Sequence, residues 1–123
     1  MKKIKISVAG NELIADLKDT PTATKIYESL PVEGRANVWG EEIYFDISLD
    51  LELEPEARAE IEVGELAYWP TGKAFCIFFG RTPVSIDEKP RAFSPVNIFG
   101  KIDGDVNQLK KVKDGGRVVV SKD

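Results

Sequence analysis

The sequence predicts a mainly β, antiparallel single domain with two short helices, and three features carry that reading. Apolar residues alternate with polar ones over "IKISV" and "LIADL", the period of two that strands with one buried face require. The pairs Gly10-Asn11 and Gly40-Glu41 separate strand-like text by the two residues that tight hairpins use. Helical spacing appears in only two places, after Thr20 and around Asp105.

A first hairpin turning at Gly10-Asn11 sets Val8 opposite Leu13 and Ile6 opposite Ala15, so one apolar face runs across both strands. Thr20 then reads as a helix N-cap with Pro21 at the first helical position, and Ala23, Ile26, Tyr27 and Leu30 form one buried stripe that Pro31 closes. In a second hairpin turning at Gly40-Glu41, Trp39 pairs with Glu42, Asn37 with Tyr44 and Arg35 with Asp46. Ala36, Val38, Ile43 and Phe45 fill its core face. The stretch "FDISLDLELE" continues as a strand, with Ile47, Leu49, Leu51 and Leu53 inward and an acidic solvated face that blocks edge pairing, until Pro55 ends it. The segment "EARAEIEVGE" supports no assignment.

A strand through Tyr68 and Trp69 leads to the loop Pro70-Thr71-Gly72-Lys73, and "AFCIFF" then reads as a strand buried on both faces. Arg81 to Pro95 is a long polar loop. "VNIFGKI" is again a strand, and Asp105 with Gln108 makes a capping-box pattern for a short helix that buries Val106 and Leu109. "RVVVS" is the final strand. No repeat or linker divides residues 1–123, whose length suits one domain with one main core.

Composition removes several function classes. The chain has no histidine, so catalytic triads and the commonest metal ligand are excluded. One cysteine, Cys76, precludes an internal disulfide and fits a reducing, cytoplasmic setting. The start "MKKIKISVAG" reads as a strand and not as a signal-peptide core, and no apolar run is long enough for a membrane helix. A net charge of −4 is opposite in sign to a nucleic-acid footprint. High charge with few amides resembles a heat-adapted composition.

Two motif imitations fail on their spacing. Gly72-Lys73 lacks the glycine five residues earlier and the following Ser or Thr of a phosphate-binding loop. Asp103, Asp105 and Asn107 imitate a calcium loop, but Gln108 and Asp114 stand where glycine and a bidentate glutamate are needed. No metal or other cofactor is implied.

The string "AYWPTGKAFCIFFGRTP…VNIFGKIDGDVNQLKKVKDGGRVVV" covers about half the chain and is similar in order and spacing to the C-terminal half of the cyclophilins. With "NVWGEEIYF" added, the chain resembles a short prokaryotic branch of the cyclophilin-like superfamily, a domain of unknown function. The resemblance implies a closed antiparallel eight-stranded barrel with two short capping helices. It also implies a groove on the outer wall where cyclophilins twist prolyl bonds, using an arginine and an apolar pocket and no histidine base.

Carried over by position, Arg35 is the candidate catalytic residue. Asn37, Trp39, Tyr44, Trp69, Cys76, Phe78 and Phe93 are the candidate ligand-binding residues. Ala74, Cys76 and Phe78 face the pocket while Phe75, Ile77 and Phe79 face the core. The pocket tryptophan and histidine of typical cyclophilins have no counterpart in Arg81–Pro95, where Phe93 is the sole aromatic. The expected function is therefore a module binding a proline-containing peptide or small molecule. The alternatives are a weak peptidyl-prolyl isomerase and a homo-oligomer contact on the same face. On the bland reading the aromatics are half-buried packing and Arg35 is an ordinary cross-strand partner of Asp46.

Overall fold

The computed structural model describes residues 2–123. The first hairpin joins β1 (Lys3–Val8) to β2 (Asn11–Leu17) through Ala9 and Gly10, both at positive φ (48° and 87°). This is the backbone that matches the twist of paired strands. The turn thus lies one residue earlier than Gly10-Asn11, and Ile6 faces Leu13 while Ile4 faces Ala15. A shift of two in the pairing keeps every side chain on its expected face, so Ile4, Ile6, Val8, Leu13 and Ala15 are all buried.

Helix α1 (Pro21–Ser29) begins as expected, with the Thr20 hydroxyl accepting from the Ala23 N–H and Pro21 in the first turn. It lays Ala23 and Ile26 on the core. Tyr27 lies half-buried beneath the ammonium groups of Lys2 and Lys122, 5.1 and 4.8 Å from its ring centre.

After α1 come β3 (Val32–Arg35), β4 (Asn37–Trp39), β5 (Glu42–Asp46), β6 (Arg58–Glu60), β7 (Glu65–Trp69), β8 (Ala74–Phe78), β9 (Arg91–Asp103) and β10 (Arg117–Lys122). All pairings are antiparallel, in the order β3-β10-β1-β2-β9-β7-β8-β5-β4, with β6 paired to β9 beside this path. In place of the expected eight strands closed by hydrogen bonds there are ten among the described residues, and the path has two ends. Those ends, β3 and β4, follow one another across Ala36 alone, too short a connection for them to pair with each other in a ladder.

Three other expectations are corrected. The stretch from Ile47 to Glu54 is not a strand: Ser48 takes φ 59°, which breaks the pleat, and Leu53 is 54% exposed. Side chains hold it instead. The Tyr68 hydroxyl donates to the Leu49 carbonyl and accepts from the Leu51 N–H, and Asn97 binds the Glu52 carbonyl and the Glu54 N–H. Secondly, the loop after β8 ends at Pro90, and Phe93, Ser94 and Pro95 lie in β9. Proline is tolerated there because it needs only to accept from, and not donate to, the ladder. Thirdly, the second helix is a 3₁₀ helix, Asn107–Lys111, and Asp105 does not cap it; its carboxylate accepts from the Asn107 N–H in a local turn.

In the main core Phe75 meets both Phe45 and Phe99, with ring centres 5.2 and 5.1 Å away. A smaller apolar cluster lies on the other face of β7 and β8, where Ala67, Ala74, Cys76 and Phe78 meet Ile61, Ala92, Val96 and Ile98. Because β8 is covered on both faces it carries the unbroken apolar run "AFCIF", and Phe75 and Ile77 alternate with Cys76 and Phe78 between the two clusters as expected.

Candidate functional site

At the margin of the smaller cluster the surface sinks into a pocket of about 240 Å³, lined by Trp39, Glu42, Tyr44, Trp69, Cys76, Ala92, Phe93 and Val96. The β4–β5 hairpin supplies one wall in the expected register, with Trp39 opposite Glu42 and Asn37 opposite Tyr44. Strand β8 brings Cys76 beside Tyr44, and β7 brings Trp69 opposite Ala74. The first half of β9 closes the far side with Ala92, Phe93 and Val96.

The aromatic rings are set as walls. Phe93 stands edge-on to both tryptophans, 6.3 Å from Trp39 at 72° and 6.2 Å from Trp69 at 75°. Trp69 is fixed in turn by its indole N–H, which donates to the Ser94 hydroxyl at 2.7 Å. Gly72 makes room for that ring, since a Cβ there would lie 2.6 Å from Trp69 Cε3. Phe93 nonetheless remains 71% exposed, a large apolar side chain held in place without being covered.

Glu42 is the polar member of the pocket and is only 6% exposed. Burial raises its carboxyl to a pKa of about 7, offset in part by the neighbouring Cys76 thiol, whose own hydrogen bond goes to the Ala74 carbonyl at 3.7 Å. Burial also raises the Cys76 thiol well above its ordinary value, helped by the Glu42 charge, so Cys76 stays a protonated thiol.

Of the expected site residues, Trp39, Tyr44, Trp69, Cys76 and Phe93 converge on this pocket. Phe78 is fully buried in the apolar cluster, paired with Glu42 across β5 and β8. Asn37 is exposed and donates to the Tyr44 carbonyl, and it does not line the pocket. Arg35 is not opposite Asp46: it belongs to β3, faces Arg117 of β10, and donates to the Gly115 carbonyl at 3.2 Å. The strand changes sheet partner at Ala36, a break that alternation alone does not mark. Glu42 is not among the candidates that the sequence offers, although the hairpin register sets it against Trp39. Ala92 lies in text that reads as loop, and Val96 opens a strand whose pairing the sequence does not reveal.

Fold and pocket define a small antiparallel β protein with an aromatic recess on one sheet face. The chain belongs to the cyclophilin-like family, whose model matches residues 2–121. It is similar to the solution structure of a hypothetical protein from Archaeoglobus fulgidus, with 38% identity and a TM-score of 0.84 over 99% of this chain and 95% of that one. No curated protein matches the chain. No helix among the described residues is long and apolar enough to cross a membrane.

Proposed function

We propose that this protein is a binding module whose ligand enters the pocket between Trp39, Trp69 and Phe93. The observation that carries this reading is the convergence of both tryptophans of the chain and an exposed phenylalanine around one recess with a buried acid on its wall. Large apolar side chains held in fixed mutual contact yet left open to water are the usual mark of a recognition surface. At about 240 Å³ the recess suits one side chain, such as a proline ring, or a small molecule. Drug-sized ligands occupy roughly 300–1,000 Å³.

The same reading takes the sheet as a barrel, closed by the covalent run of β3 into β4 through Ala36. The recess then lies on the outer wall, as the family groove does. Prolyl isomerisation in this recess lacks an electrostatic catalyst among the lining residues, because none of them is basic. Binding without catalysis is therefore the favoured reading.

Trp39 and Trp69 are the only tryptophans, so emission from selectively excited tryptophan reports on the pocket. Titration with Ala-Pro peptides and small apolar molecules is expected to give a saturable change in emission. Emission that stays flat across that panel overturns the reading.

A further inference from the structure

The chemistry of the pocket wall narrows the ligand, given that the pocket is the binding site proposed above. A recess meant only for an apolar group gains nothing from a carboxyl on its wall, because burying that group is unfavourable. Glu42 is buried there all the same, and among the described residues it has no basic partner; its polar neighbour is the Cys76 thiol. Phe93 stands nearly perpendicular to each of the two tryptophans, so these rings present walls and not a closed stack. Aromatic faces carry negative charge density and attract cations, the more so when water is excluded.

From these contacts we infer that the pocket is a site for an alkylated ammonium group, held by the rings of Trp39, Trp69 and Phe93 and neutralised by the Glu42 carboxylate. Alkylation is the discriminating feature. A bare ammonium keeps three donors that need acceptors, and the pocket lining offers one carboxylate; a methylated head is weakly hydrated and is satisfied by ring faces. The unliganded carboxyl, with its pKa near 7, is poised to lose its proton when a cation arrives. The other titratable groups facing it are the Cys76 thiol on β8 and the Tyr44 phenol on β5, whereas β4, β7 and β9 contribute Trp39, Trp69, Ala92, Phe93 and Val96.

The test is a fluorescence titration of the intact protein with choline, with its neutral isostere carrying a tert-butyl group, and with a peptide containing trimethyllysine. Choline is expected to bind about tenfold tighter than the isostere. Its affinity is expected to rise about tenfold between pH 6 and pH 8, while the isostere shows no trend. Glu42→Gln is expected to remove the pH dependence and to reduce the preference to what the rings alone supply. Tighter binding of the peptide than of choline assigns the group to a protein tail, and the reverse assigns it to a free small molecule. Equal affinity for choline and isostere overturns the inference and leaves the apolar recess standing. Failure of all three to bind also overturns it, and the Ala-Pro titration then decides separately whether the pocket binds anything. The pH dependence is read on the unaltered protein, so a flat choline profile overturns the role of Glu42 even if the Gln variant does not fold.

Discussion

The Trp69 indole N–H donates to the Ser94 hydroxyl at 2.7 Å, bridging β7 and the first half of β9. That contact sets the plane of the ring against which Phe93 rests edge-on. The pocket is therefore held by a bond outside its own lining.

Ser94→Ala removes this bond without touching the recess. The expected cost is about 0.5–1.5 kcal/mol of stability, the net worth of one hydrogen bond. Trp69 emission should shift and affinity for pocket ligands should fall severalfold, read by fluorescence. Unchanged emission and affinity would show that packing alone orients the indole.

Asn97 is 1% exposed and ties three segments together. Its amide donates to the Thr22 hydroxyl and to the Glu52 carbonyl, and its carbonyl accepts from the Glu54 N–H. Glu54 in turn accepts from the Thr22 N–H at the start of α1. Asn97→Ala should cost about 2–4 kcal/mol, since it leaves buried partners unsatisfied. In hydrogen exchange the Glu54 amide should lose its protection first; uniform loss across the sheet would contradict a local anchor.

The Glu42 carboxyl titrates near pH 7 when folded, against an ordinary value of 4.5. The folded protein thus keeps a proton that the unfolded chain gives up, and stability from this group is full below pH 4.5 and declines until about pH 7. The decline is up to about 3 kcal/mol. Glu65 has the opposite sign. Burial pushes it up, but the Arg58 guanidinium and the Glu62 N–H outweigh burial and lower its pKa, so its contribution is lost as pH falls through that lowered value. The difference between the unaltered protein and Glu42→Gln in urea denaturation isolates the first effect. It should widen in favour of Gln from pH 5 to pH 8, and parallel profiles would place the Glu42 charge in contact with solvent.

Arg35 carries the remaining test of isomerisation. It is exposed, and its side chain donates to the Gly115 carbonyl. Arg35→Ala should change stability by less than about 1 kcal/mol and leave pocket affinity unaltered. Exchange spectroscopy on an Ala-Pro peptide should show no acceleration by either protein. Acceleration that Arg35→Ala abolishes would restore the arginine to a catalytic role.

The sequence by itself determined that antiparallel strands dominate, the first helix with its Thr20 cap, and the faces of the hairpins, because these depend on contacts a few residues apart. Alternation placed Trp39 opposite Glu42 and sorted Phe75 and Ile77 from Cys76 and Phe78, since period two follows from backbone geometry alone. Tertiary structure decided what alternation cannot express. Ile47 to Glu54 alternates as well as any strand, yet Tyr68 and Asn97, distant in sequence, bind its backbone and draw it off the sheet. The break at Ala36, which parts Arg35 from the aromatic face, follows from β10 pairing with β3 while β5 pairs with β4. Glu42 acquires its raised pKa only when β8 and β9 close over the hairpin and remove its water, a desolvation that no local pattern encodes.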